Sequence, residues 1–171
     1  MNKQLRLGVD IGRVIIDGSS HPSGDDTAFF KGGLDNALRT PPVADVFDVL
    51  PRLVQLFDHR VWLVSKCGVR VQQRTLAWLE HHDFYERTGI DSAAVRFCLT
   101  RPEKADHAKE LGLTDFIDDR ADVHQALDGV VDRCYLFGPQ RQGGADWMIS
   151  TPTWAAVEAA IAQRLPAVSA S

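Results

Sequence analysis

The sequence predicts a three-layer α/β fold, a parallel sheet of about five strands with helices on both faces. Three observations predict it. Short, nearly continuous apolar runs recur along the chain, segments with helical periodicity separate them, and no internal repeat or low-complexity linker breaks the alternation. Strands buried on both faces show unbroken apolar character rather than in–out alternation. Strands that alternate with helices point to crossover units and hence to a parallel sheet.

The apolar runs are Leu5 to Val9, Arg60 to Val64, Ala94 to Leu99, Asp115 to Ile117 and Arg133 to Phe137. After the first comes an irregular stretch, Gly18 to Pro42, rich in Gly, Ser, Asp and Pro. It reads as a small flap with a loop, of a length that is usually functional or disordered. Val43 to His59 follows, with apolar residues at Val46, Phe47, Val49, Leu50, Leu53, Val54, Leu56 and Phe57 in an amphipathic period. Pro51 is expected to kink this helix or divide it in two. Val71 to His82 reads as a second helix. Thr100-Arg101-Pro102-Glu103 resembles a capping box that opens a third, closed by Gly112. Ala121 to Leu127 is a short fourth, and Thr151-Pro152 opens a fifth running to about Leu165. Pro166 to Ser171 reads as a frayed tail, leaving a single domain over residues 1–165.

With 171 residues, 44% of them hydrophobic and 25% charged, the chain is long enough to bury a core of its own. The formal net charge of -4 excludes general attraction to nucleic acid, so a phosphate-bearing ligand must be captured locally. No apolar run approaches the roughly 20 residues needed to span a bilayer, and the opening residues carry no cleavable signal pattern. Cys67, Cys98 and Cys134 lack metal-ligand spacing and read as reduced thiols, which together with the rest points to a cytoplasmic protein.

Ligands of parallel α/β sheets bind at the carboxyl ends of the strands. The first run ends on Asp10, followed by Gly12. The second ends on Ser65-Lys66, and the fourth on Asp118-Asp119, while Lys104 falls in the first turn of the third helix. Three carboxylates at close quarters suit a hard cation such as Mg²⁺, which relieves their mutual repulsion. Lys104 offsets phosphate charge, Ser65 and Lys66 offer donors to phosphate oxygens, and a shielded strand-end carboxylate can attack phosphorus. Each residue also has a bland reading. Asp118, Asp119 and Ser65 could cap the helices that follow them, and Lys104 or Arg101 could be a solvated surface charge, with either one able to supply the charge offset. His21, Asp25 and Asp26 in the long loop could meet a substrate or second metal, or only solvent. Phe29 and Phe30 pin the loop or face a ligand, His81-His82 reads as an exposed helix end, and Trp147 and Trp154 read as packing.

The order Asp10, Ser65, Lys104, Asp118-Asp119 resembles the four signature motifs of the haloacid dehalogenase superfamily, which has a Rossmann-like fold. The resemblance spans about residues 5 to 137. It implies that Asp10 forms a phospho-aspartate, that Ser65 binds the phosphoryl group, that Lys104 offsets charge, and that Asp118-Asp119 bind Mg²⁺ with Asp10 and the Gly12 carbonyl. Response-regulator receiver domains use a similar set, but with the acidic pair after the first strand and the lysine last. One position departs from the pattern. The family's phosphatases carry a second aspartate two residues after the nucleophile as general acid and base, where this chain has Gly12. P-type ATPases and phosphonatases also lack it. There is room for the family's small flap but not for a full cap.

The expected activity is thus a Mg²⁺-dependent phosphohydrolase or phosphotransferase acting on a phosphorylated small molecule or phosphoprotein, slowed by Gly12, with a homo-oligomer compatible. The alternative is a catalytically inactive phosphate- or metal-binding or protein-interaction module on the same fold.

Overall fold

The computed structural model describes residues 3–20 and 28–165. His21, Asp25, Asp26 and the expected tail from Pro166 lie outside the described residues. The strands are β1 (Leu7–Val9), β2 (Val61–Lys66), β3 (Val95–Cys98), β4 (Asp115–Asp118), β5 (Arg133–Phe137) and β6 (Ile149–Thr151). They form one six-stranded sheet in the order β3-β2-β1-β4-β5-β6. Every neighbouring pair is parallel. Chain order reverses at β1, whose two neighbours are β2 and β4, and this is where open α/β sheets leave a crevice. Val9 stands opposite both Leu63 and Ile117, so the three central strands end in step.

The helices are α1 (Ala28–Lys31), α2 (Leu34–Leu38), α3 (Val46–Leu56), α4 (Val69–His81), α5 (Phe84–Thr88), α6 (Pro102–Leu111), α7 (Ala121–Ala126) and α8 (Trp154–Arg164). They cover both faces. Leu7, Val9, Leu63, Ile117, Tyr135 and Phe137 point into the larger core with residues of α3, α4 and α8. Val64, Phe116 and Cys134 point the other way, against Ala105 and Ala108 of α6 and Val123 of α7. Gly8 lies on this second face, where a Cβ would stand 2.6 Å from Leu113 and the Phe116 ring. The missing side chain is what lets that ring close over β1.

Several expectations are corrected. The sheet has six strands rather than about five. The sixth has only three residues, one of them serine, too short for a pattern to register. Thr151 therefore ends a strand instead of opening a helix, and Thr153 caps α8 by accepting from the Ala156 amide at 3.1 Å. Pro51 lies inside α3 without dividing it, because Val49, Leu50, Leu53 and Val54 are all buried around it and hold the helix on the core. Arg101 rather than Thr100 is the cap residue of α6, although Glu103 does reach back to accept from Thr100 as in the expected capping box. Pro102 takes the first helical position after Arg101, and Glu103 also accepts the Leu99 amide at 2.9 Å.

The 18–42 stretch contains α1 and α2, where an irregular loop was expected. One face of α4 holds it in place: Arg74 donates to the carbonyls of Phe29 and Gly32, and Trp78 Nε1 to Thr40 at 2.8 Å. His82, just past α4, hydrogen-bonds the Leu38 carbonyl at 2.9 Å and stacks on Trp78, so it is no simple exposed helix end. Trp154 is fully buried and donates to Val14, while Trp147 is half exposed. Among the described residues no helix is long and apolar enough to cross a membrane.

Candidate active site

Side chains alternate faces along a strand, so Asp10 follows Gly8, and Asp118 follows Phe116, onto the α6 side of the sheet. The first turn of α6 brings Lys104 to the same place. Its ammonium donates to Asp10 Oδ1 at 2.9 Å and to Asp118 Oδ2 at 2.7 Å. All three side chains are buried, Lys104 at 3% exposure, which removes the reading of Lys104 as a solvated surface charge. Asp10, Asp118 and the half-buried Asp119 have ligand oxygens within 4.8 Å of one another.

The charges do not balance here. Burial, reinforced by the charge of Asp118, pushes Asp10 up to about 6 against the pull of Lys104. Burial likewise pushes Asp118 up to about 6, with Lys104 opposing and Asp119 adding to the rise. Asp119 is raised to about 6 by burial and by Asp10. For Lys104 burial works downward, yet the two carboxylates hold its ammonium above the usual lysine range. Lys104 among three crowded carboxylates, with Arg13 acting on Asp119 from the side, still leaves an oxygen-only, net negative cluster, the donor set preferred by hard divalent cations. An octahedral Mg²⁺ with ligands at about 2.1 Å spans oxygens up to about 4.2 Å apart, so the cluster fits one after small side-chain movements.

Ser65 is buried and Lys66 exposed at the end of β2, and both line a cavity of about 330 Å³ with Asp10, Gly12, Lys104 and Asp119. Ser65 does not cap the next helix, since α4 begins after Gly68 without a side-chain cap. Asp118 does not cap α7 either, although its Oδ1 accepts the Arg120 amide at 3.0 Å. Phe29 and Phe30 of α1, packed edge to face, form part of the cavity wall, so the aromatic pair both pins the segment and faces the site. Arg101 lines the same cavity but pairs with Asp122 at 3.0 Å. Asp17, the carboxylate next in sequence to Gly12, is tied to the Ser19 and Ser20 hydroxyls at 2.5 and 2.6 Å.

Sequence reasoning missed three supports of this site. His124, fully buried on α7, shares its Nε2 proton between the carbonyls of Asp118 and Tyr135, each at 3.0 Å. Burial holds it below the usual histidine range and therefore neutral. Gln140 donates to the Asp119 carbonyl at 3.0 Å and to Phe137 at 2.9 Å. Cys67 stands beside Ser65, with burial pushing its thiol up and away from thiolate character. Spacing could have flagged only His124, which follows the acidic pair closely and sits beside Val123 on the buried side of α7. All three cysteines are free thiols.

A solved structure with similar architecture is a haloacid dehalogenase-like family hydrolase from Xanthomonas campestris. It superposes with a TM-score of 0.61 at 15% identity, covering 95% of this chain and 96% of that one. The chain has the haloacid dehalogenase-like fold. No protein-family model matches the sequence, and no curated protein matches it. Within the haloacid dehalogenase-like fold, the crevice beside β1 holds the acidic cluster at the carboxyl end of the sheet.

Proposed function

We propose that this protein is a Mg²⁺-dependent phosphohydrolase or phosphotransferase that works through an aspartyl-phosphate on Asp10. The observation that carries the reading is the buried triad of Asp10, Lys104 and Asp118, with Asp119 beside it and a cavity above. Buried charges this crowded are costly to a fold and cluster where chemistry is done. Asp10, Asp118, Asp119 and the Gly12 carbonyl would hold Mg²⁺, which supplies charge neutralisation for the phosphoryl oxygens.

Lys104 holds one oxygen of Asp10 and so fixes the carboxylate plane for attack on phosphorus. Ser65 donates a hydrogen bond to a phosphoryl oxygen, and Lys66 at the rim adds positive charge. The bond from Asp10 oxygen to phosphorus forms as the bond to the leaving oxygen breaks, and that oxygen takes up a proton. Attack of water on the same phosphorus then releases phosphate and restores Asp10. Gly12 can neither donate the first proton nor accept the second, a role typically worth about 10²–10⁴-fold. The adduct is therefore long-lived, and the substrate is a phosphorylated small molecule or a phosphoprotein.

Incubation with acetyl phosphate tests this reading. Intact-protein mass spectrometry should show a Mg²⁺-dependent gain of one phosphoryl group, absent in Asp10→Asn. Protein that binds Mg²⁺ yet takes up no phosphoryl group from any donor would be a binding module instead.

A further inference from the structure

The acidic cluster uses Lys104, and of the other cations on the cavity wall Arg101 and Arg120, like Arg13 beside Asp119, have no part in the proposed chemistry. Arg101 precedes α6 and Arg120 precedes α7, and both face the cavity above Asp10. A single carboxylate engages both: Asp122 meets Arg101 Nη1 at 3.0 Å, Arg120 Nε at 3.1 Å and Arg120 Nη2 at 3.2 Å. Asp122 is the one carboxylate hydrogen-bonded to these guanidinium groups among the described residues, with Asp119 and Asp118 acting on Arg120 from further off, so a cation held by the acidic pair would leave the two arginines with surplus positive charge. The Arg101 Nε is moreover buried without a hydrogen-bond partner among the described residues. A buried donor left in this state favours any rearrangement that gives it an acceptor. The arginines are 42% and 50% exposed, and ion pairs so open to solvent hold their partners weakly. An incoming oxyanion can therefore share or take over these donors, and guanidinium geometry suits bidentate capture of carboxylate or phosphate.

We infer that Arg101 and Arg120 form a second-anion subsite, so that the substrate is a phosphomonoester whose leaving group carries a further carboxylate or phosphate. The inference rests on the phosphoryl-transfer reading for the position of the first phosphate. The cavity beside Asp10 holds about 330 Å³, the low end of small-molecule sites, which run from about 300 to 1,000 Å³, so the groups nearest Asp10 are compact, and past Arg13, Asp119 and Arg120 lies a larger cleft of about 1050 Å³. Phe29 and Val71 on the wall of the smaller cavity offer no charge to a second anion, and the arginines do. Arg120 acts twice, since its backbone amide also holds Asp118. Arg101 has no bond to the acidic cluster among the described residues, and its substitution isolates the subsite.

Calorimetry with two non-hydrolysable probes, methylphosphonate and 3-phosphonopropionate, tests the inference on the full chain with saturating Mg²⁺. The second probe differs by one added carboxylate on a short carbon chain. It should bind about tenfold tighter than the first, the scale of one added charge-assisted contact. Arg101→Gln should abolish that preference while changing methylphosphonate affinity by less than about twofold, and Arg101→Lys should restore part of it. Retained methylphosphonate binding shows that the variant is folded and its phosphate site intact. Equal affinity of the wild type for both probes, or equal losses for both in Arg101→Gln, overturns the subsite. So does a failure of 3-phosphonopropionate to bind. Because neither probe is turned over, a protein that shows the preference but never takes up a phosphoryl group keeps the subsite and loses only the proposed reaction.

Discussion

Asp10, Asp118 and Asp119 share an environment that raises all three carboxyl groups to about 6 through burial and mutual repulsion. Metal binding needs them deprotonated, and a bound ion stabilises the native state by mass action. Because the shifts are upward, the metal competes with protons at a higher pH than at an ordinary carboxylate site. The rise in Tm caused by Mg²⁺ should be full above pH 7 and shrink as the pH falls through 6, whereas ordinary carboxylates would hold the effect to about pH 4. Asp118→Asn should show much less of it at any pH. Thermal shift at pH 5 and pH 7.5 decides the matter, and an undiminished shift at pH 5 contradicts the raised carboxyls. Gly12 permits a second experiment. Its backbone is outside the left-handed region, and a Cβ there would meet nothing within 4 Å. Gly12→Asp should therefore fold without steric strain, although the added carboxylate joins a crowded acidic cluster and should lower the stability of the metal-free protein. It should shorten the lifetime of the Asp10 phospho-adduct by about 10²-fold or more, since a carboxylate can activate the attacking water. An adduct of unchanged lifetime in the folded variant would mean that general base catalysis is not what the chain lacks.

At the scale of elements, β1 is shaped by what it leaves out. Glycine in a strand normally weakens it, and replacing it with alanine would ordinarily help. Gly8→Ala should do the opposite, because the new methyl would sit 2.6 Å from Leu113 and from the Phe116 ring, both buried. Overpacking of this kind costs about 1–3 kcal/mol. Urea denaturation should show a lower midpoint with an unchanged slope, and a variant at least as stable as wild type would refute the close packing. Phe116 also lies under Lys104, whose ammonium is 5.9 Å from the ring centroid, so the same methyl disturbs the floor of the site. On the other face, α4 organises the segment between the first and second strands through Arg74 and Trp78, one turn apart, with His82 following. Carbonyls in and around the short helices α1 and α2 are satisfied by one face of α4 and by His82, and this sets Phe29 and Phe30 at the cavity.

For the molecule as a whole, the two ends of the sheet divide the work. The carboxyl end carries the acidic cluster and the cavity. The opposite end carries a closed polar network around Asp115, fully buried, which accepts from Tyr135 Oη at 3.0 Å, from Thr114 Oγ1 at 2.5 Å and from Arg164. Arg164, the last residue of α8, also reaches Asp132 at 3.5 Å and so fastens the last helix to the amino end of β4. Removing one partner of a buried pair leaves an uncompensated charge, at a cost of about 3–5 kcal/mol. Arg164→Ala should lower the Tm by several degrees while leaving Mg²⁺ binding intact, because the acidic cluster lies at the other end of β4. Loss of metal binding in a variant that is still folded would show that the two ends are coupled.

The sequence by itself determined the layered α/β class, five of the strands, and the residues that leave their carboxyl ends. These follow from local rules: apolar runs become buried strands, and a polar residue ending such a run is placed at the carboxyl end of the sheet. Asp10, Ser65 and Asp118 were legible for that reason. Lys104 was legible only as one of two candidates, because a helix's rotation about its own axis is set by packing. Tertiary structure placed its ammonium between two carboxylates and put Arg101 on the cavity wall beside Asp122. Tertiary structure also decided the three-residue β6, the unbroken path of α3 through Pro51, and the shape of the 18–42 segment. In each of these, contacts with residues remote in sequence outweigh a weak or contrary local preference.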